Sequence, residues 1–188
     1  MAYRWERKRK NFNIPGNAHA LTWSCYRRFK LLDRDRTRRW LAQSIELARR
    51  ELDFRVWAYV FMPEHVHLLV YPNRCRYDIA DIREAIKEPV ANWAMEHLER
   101  TAPEWLSVFT RQRGRRTERL FWQSGGGFDR NLSDGRALLA EIDYIHANPV
   151  RRKLVTSPTD WHWSSASWYA SQEVGPLAID PIPKDWLE

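Results

Sequence analysis

The sequence predicts an α+β domain of the ferredoxin-like, split-βαβ kind, with an antiparallel sheet, helices on one face and an additional C-terminal helix. Three observations predict it. Segments of strand-type alternation and segments of helical apolar spacing follow one another as strand, helix, strand, strand, helix, strand. The second and third strands are separated only by Met62-Pro63-Glu64, a hairpin-length break. A further helical stripe, Leu138, Ile142 and Ile145, follows the fourth strand.

Each element rests on its own pattern. His19 to Tyr26 alternates, with Leu21, Trp23 and Cys25 on one side, and reads as the first strand. From Arg34 to Leu52, Leu41, Ile45, Ala48 and Leu52 make one stripe of a helix whose outer face is rich in arginine. Phe54 to Phe61 and His65 to Tyr71 are β-branched and aromatic, and read as paired strands. Ile79, Ile82, Ile86, Val90 and Trp93 mark a second helix, which Pro89 is expected to kink or break. Ala102 to Glu118 reads as a loop-like insert carrying a basic run, and Leu120 to Gln123 as the fourth strand. Ser133 or Asp134 can cap a last helix running to Ala147. Pro149 is expected to push Asn148 out of that helix, to its end.

The chain thus divides into a basic N-terminal arm (1–17), one domain (18–155) and a tail with tryptophans and prolines (156–188). Its 188 residues can bury a core without staples. The 31 Lys and Arg outnumber the 24 Asp and Glu, for a formal net charge of +7, which favours a polyanionic partner. Two distant cysteines, Cys25 and Cys75, make no disulfide framework and suit a reducing compartment. No signal peptide or bilayer-length apolar run is evident, so a cytoplasmic protein without a membrane partner is expected.

The chemistry concentrates in two places. On the third strand, Val66, Leu68 and Val70 share one face, so His65 and His67 are neighbours on the other, which is expected to be open. Two imidazoles at this spacing can reach one metal ion, although the same spacing also serves purely structural histidines. On the last helix, Tyr144 lies roughly 120° and Asn148 about 80° from the centre of the apolar stripe. They stand one turn apart, so a phenol and an amide oxygen can approach the same small volume. A Tyr flanking the core and an Asn ending a helix would look the same. Two nitrogens and an oxygen with open positions suit Mg²⁺ or Mn²⁺. Tyr144 could then attack a phosphate and form a covalent phosphotyrosine.

Basic residues surround these positions. Arg130, Arg151, Arg152 and Lys153 flank the tyrosine helix, and Arg111, Arg113, Arg115 and Arg116 form the run in the insert. All eight are candidate DNA contacts. Trp161, Trp163 and Trp168 are either base-stacking platforms or packing anchors. Gly125 to Gly127 reads as a close-approach point, a hinge or a turn. Two other functions compete: a single-stranded nucleic-acid-binding module without chemistry, and a metal-dependent hydrolase using activated water.

The stretch FMPEHVHLLV (Phe61 to Val70) resembles the His-hydrophobic-His signature of single-tyrosine HUH transposases of the IS200-like type. DYIHANPVRRKLV (Asp143 to Val155) resembles their tyrosine helix, in the form seen in REP-associated tyrosine transposases. Phe121-Trp-Gln and Trp161-His-Trp-Ser-Ser165 fit the same subfamily. The resemblance runs from about residue 17 to 170. It implies cleavage and rejoining of single-stranded DNA beside hairpins or palindromes, with Tyr144 as nucleophile and His65, His67 and Asn148 as metal ligands. It implies a 5′-phosphotyrosine product, and leaves monomer and homodimer both open.

Overall fold

The computed structural model describes residues 12–187. Most of the basic arm expected over 1–17 therefore lies outside the described residues. β1 (Ala18–Ser24) leads through a short 3₁₀ turn into α1 (Asp35–Leu52). β2 (Phe54–Phe61) and β3 (His65–Pro72) form the predicted hairpin, and α2 (Ile79–Thr101) follows. β4 (Thr110–Arg113) and β5 (Arg116–Arg119) make a separate two-stranded ribbon. β6 (Phe128–Leu132), α3 (Gly135–Arg151) and the short α4 (Ala166–Ser171) complete the order. The main sheet is antiparallel, with strand order β2-β3-β1-β6.

Period-two alternation gives the sheet two apolar faces. Leu21, Trp23, Val66, Leu68 and Val70 pack with Leu41 and Ile45 of α1 and Ile82, Ile86 and Val90 of α2. Ala18, Ala20, Leu69 and Leu132 pack on the other side with Leu138, Ile142 and Ile145 of α3. The face expected to be open is therefore largely covered by α3. A bulge between Val56 and Ala58 turns both Trp57 and Ala58 toward this second core, where Trp57 stacks on Tyr71 at 4.7 Å.

Further sequence expectations are corrected. The fourth strand is β6, not Leu120 to Gln123. The apolar segment Phe121-Trp122 sinks into the helix-side core and makes only a single bridge, Cys25 to Trp122. The half-polar FDRNL can pair because it is an edge strand with one side in solvent. Ala102 to Glu118 is not a loop: a 3₁₀ turn over Pro103–Phe109 precedes the β4–β5 ribbon.

Helix α2 runs through Pro89. Proline removes the N–H that would bond the Ala85 carbonyl. The buried Ser44 hydroxyl of α1 donates there instead, at 3.3 Å to Ala85 O and 2.8 Å to Ile86 O. Helix α3 likewise continues past Pro149 to Arg151, so Asn148 is inside it and not at its end. Asp134 caps α3 by accepting from Ala137 N at 2.8 Å.

The tail seals the outer edge of β2. Phe61 N donates to Trp163 O at 2.8 Å, Ser165 N to Tyr59 O at 3.1 Å, and Asp180 N to Val56 O at 2.7 Å. Trp163 is buried against Phe61, and Arg38 lies over the rings of both Trp161 and Trp163. These tryptophans act as packing anchors, not as open stacking platforms. No helix of the described residues is long and apolar enough to cross a membrane.

Candidate active site

The sheet register brings the site together. Ser24 pairs with His65 and Thr22 with His67, while Thr22 also pairs with Phe128 of β6. Both imidazoles face α3, with their Nε2 atoms 3.1 Å apart. Each Nδ1 is occupied: that of His65 by Glu64 Oε1 at 3.1 Å, and that of His67 by Thr22 Oγ1 at 2.8 Å. A carboxylate accepts the Nδ1 proton, so neutral His65 keeps its Nε2 lone pair. A hydroxyl can do the same for His67.

Both rings are held neutral. Burial pulls His65 below its ordinary pKa, helped by the charges of Arg152 and Arg28 and opposed by Glu64. Burial, and then the neighbouring His65, pull His67 down to about 3. The pair is more enclosed than an open sheet face implies, at 7% and 5% exposure.

Tyr144 stands over this pair from α3. Its ring meets that of His67 edge-to-face, with centroids 5.5 Å apart. It is 43% exposed although the histidines below it are buried, so it sits at the boundary between core and solvent. With Thr22, His67, Phe128, Arg130, Ala140 and Glu141 it lines a cleft of about 490 Å³. Arg151 packs over the tyrosine ring at 5.2 Å.

Asn148, one turn on, is oriented by the proline after it. Pro149 leaves the Ile145 carbonyl without its usual N–H partner. The Asn148 amide donates to Ile145 O at 3.4 Å and to Tyr144 O at 2.8 Å. With the amide nitrogen turned back onto the helix, the amide oxygen is left on the side of His67, whose protonation it influences.

This donor set fits a small divalent cation. Ligand distances of about 2.0–2.1 Å, with two nitrogens at a right angle, require those nitrogens to stand roughly 3 Å apart. That matches the 3.1 Å seen between the two Nε2 atoms. Among the described residues no group of three or more His, Cys, Asp or Glu side chains forms a metal cluster, and the third donor here would be an amide oxygen.

The predicted cations are not equivalent. Arg130 lies in the cleft, 3.6 Å from Glu141. Arg152 turns to Glu64 at 2.8 Å, and Lys153 is an exposed residue in the left-handed region, at φ 57°. Arg111 pairs with Glu118 at 2.6 Å. Arg113, Arg115 and Arg116 are exposed on the ribbon, away from the cleft lining. His146, on the far side of α3, bonds Ser165 Oγ at 2.8 Å.

Sequence reasoning passed over Thr22 and Glu141. Nothing in the local pattern marks Thr22, whose role comes from cross-strand register. Glu64, next to His65 in sequence, can be read there either as a contact to the metal or a base or as a turn residue, and the structure sets it on His65 Nδ1. Burial raises the Glu141 carboxyl above its ordinary pKa, against the pull of Arg130. Arg27 and Arg28, at φ 50° and 56°, are consecutive residues in the left-handed region, a strained corner beside the site. Gly127 belongs to the same neighbourhood: a Cβ there would come within 2.2 Å of Thr22 O. The glycine run is therefore a turn that is close-packed at Gly127 and open at Gly125.

Known proteins resemble this chain in sequence and in fold. A Haemophilus influenzae (strain Rd) protein carrying the name REP-associated tyrosine transposase is 25% identical over 166 residues, covering 84% of this chain and 85% of that one. A solved structure of a REP-associated tyrosine transposase bound to a REP hairpin superposes with a TM-score of 0.68 at 18% identity. It covers 94% of this chain and 93% of that one, and supports the α+β fold with its antiparallel sheet. A crystal structure from Deinococcus radiodurans R1, described as a transposase, aligns at 20% identity with a TM-score of 0.45, over 74% of this chain and 96% of that one. The family model described as "Transposase IS200 like" matches residues 16–124, more than half of the chain and including the paired histidines, so this protein belongs to the IS200-like transposase family.

Proposed function

We propose that this chain is an endonuclease and strand transferase that cuts single-stranded DNA beside a hairpin or palindrome, with Tyr144 as the nucleophile. The observation that carries the reading is the meeting of Tyr144 with His67, rings 5.5 Å apart, in a cleft that also holds Arg130. The named relatives support it: one is a REP-associated tyrosine transposase by name, and another is bound to a REP hairpin. The net charge of +7 suits a nucleic-acid partner, and a DNA partner would place the protein in the cytoplasm.

In this reading the Tyr144 oxygen attacks the scissile phosphorus. The bond from phosphorus to the 3′-oxygen breaks, the 3′-oxygen leaves and takes up a proton, and the phenolic proton passes to solvent. The DNA is left as a 5′-phosphotyrosine. Because one phosphodiester has been exchanged for another, a 3′-hydroxyl of a second strand can reverse the step. His65, His67 and Asn148 would hold Mg²⁺ or Mn²⁺, which would supply Lewis acidity toward the scissile phosphate. Glu64 and Thr22 hold the imidazoles in the tautomer that presents Nε2. Arg130 offers a planar fork to a phosphate at the cleft. Arg151 holds the tyrosine ring, and with Lys153 offers charge to the strand beyond it.

The test is a labelled DNA hairpin with a single-stranded tail, mixed with protein and Mn²⁺ or Mg²⁺ and run on a denaturing gel. A covalent protein–DNA band is expected, lost with Tyr144→Phe and with chelator. Cleavage without that band would favour a hydrolase, and binding without cleavage a passive module.

A further inference from the structure

We propose that the β4–β5 ribbon is a wing that enters the major groove of a duplex DNA stem, with Arg113, Arg115 and Arg116 as its contacting edge. This rests on the reading of the chain as a hairpin-DNA transferase and adds which part of the nucleic acid the ribbon meets.

The register gives the ribbon a charged end, and Glu118, already paired with Arg111, is the one acidic side chain of the ribbon. Opposed residues are Thr110 and Arg119, Arg111 and Glu118, Gln112 and Thr117, and Arg113 and Arg116. Opposed residues share a face, so Arg111, Glu118, Arg113 and Arg116 lie on one side. The inner pair is neutralised, with Arg111 and Glu118 at 2.6 Å. The outer pair sets two guanidinium side chains directly across from one another, an arrangement that destabilises a ribbon. Arg115, in the turn formed with Gly114 at φ 61°, adds a third positive charge. Among the described residues no ion pair or side-chain hydrogen bond engages these three. The base, by contrast, is fixed. Leu120 N donates to Phe109 O at 2.7 Å, Thr110 Oγ1 to Leu106 O at 2.7 Å, and Arg119 pairs with Glu99 of α2. A rigid base thus carries a free end whose like charges call for an anionic partner.

Shape and composition point to duplex DNA. The major groove of B-form DNA, about 12 Å wide, admits a two-stranded ribbon without the kinking that minor-groove entry commonly brings. The deep, narrow major groove of an RNA helix excludes it. The ribbon and its turn, Thr110 to Arg119, contain no aromatic residue, so they offer no stacking platform for unpaired bases. Arginine forks suit guanine edges and phosphates.

Position agrees. The chain leaves β5 and runs alongside Ser24 to Tyr26, with Tyr26 N on Phe121 O and Gln123 N on Ser24 O, both at 2.8 Å. Ser24 pairs with His65. The wing is therefore rooted at the end of β1 that pairs with His65, at the same edge of the molecule as the histidine end of the site.

The test compares wild type with Arg113→Ala/Arg115→Ala/Arg116→Ala by fluorescence anisotropy. Three probes are used: a DNA hairpin with a single-stranded tail, the tail alone, and the same hairpin as RNA. The substituted positions are exposed, and thermal melts of the two proteins are expected to coincide. The triple variant is expected to lose roughly tenfold or more affinity for the DNA hairpin. Its affinity for the tail and for the RNA hairpin should stay within about twofold of wild type. Unchanged affinity for the DNA hairpin, or an equal loss on the tail alone, would overturn the wing. Adduct formation on the tail alone separates this result from the active-site reading. A retained adduct with unchanged hairpin affinity sinks the wing and leaves Tyr144 in place. Selective loss of hairpin affinity supports the wing even if no adduct forms.

Discussion

Arg152 donates to Glu64 over 2.8 Å, linking the end of α3 to the turn that precedes the paired histidines. The same carboxylate oxygen lies 3.1 Å from His65 Nδ1. The helix that carries the tyrosine is thus tied by one ion pair to the residue that orients an imidazole.

Glu64→Gln should weaken divalent-cation affinity about 10- to 100-fold, the usual effect of losing an outer partner of a histidine ligand. Arg152→Ala should have a smaller effect, because it leaves the Glu64–His65 contact in place. Titration of Mn²⁺ in the adduct assay, alongside calorimetry, reads both. An unchanged midpoint for Glu64→Gln would mean that the carboxylate does not support the site.

Gly127→Ala should destabilise the protein by about 2–4 kcal/mol, combining left-handed backbone with a steric clash. The clash is explicit: the added Cβ would stand 2.2 Å from Thr22 O. Gly125→Ala, at φ 98° but facing open space, should cost only about 1 kcal/mol. Urea midpoints measure the contrast, and equal losses would refute the close-packing explanation.

Ser44→Ala should cost about 1–3 kcal/mol, because it strips the donor from carbonyls beside Pro89. Pro89→Ala restores a backbone N–H for Ala85 O, so part of that loss should return in the double variant. A strictly additive cycle would show that Ser44 does not compensate for the proline.

Burial pushes the Cys25 thiol up to about 12, so at pH 8 it is almost wholly protonated and unreactive. Cys75 is exposed. A thiol reagent at pH 8 should label one site quickly in the native protein and the second only after unfolding. Rapid labelling of both would contradict the burial of Cys25.

The legible parts of the fold were those where one face decides the residue. The stripe of α1, the alternation of β3 and the Asp134 cap could be read from spacing, and so could the shared face of His65 and His67. The rest depended on contacts between distant segments. β6 is half-polar, and only its place at the sheet edge makes it a strand in preference to the apolar Leu120 to Gln123. Pro89 looked like a helix breaker because Ser44, 45 positions earlier, supplies the missing donor. Asn148 looked like a terminator because its amide repairs the helix from within. Thr22 could not be picked out at all, since only its register opposite His67 gives it a part in the site.

The central claim is that the Tyr144 oxygen forms the bond to DNA. After reaction with a hairpin-tailed oligonucleotide and nuclease trimming, peptide mass spectrometry locates the modified side chain. The expected result is a nucleotide phosphate on Tyr144, absent from Tyr144→Phe. Strand cleavage with an unmodified Tyr144, or with the adduct on another residue, would contradict it.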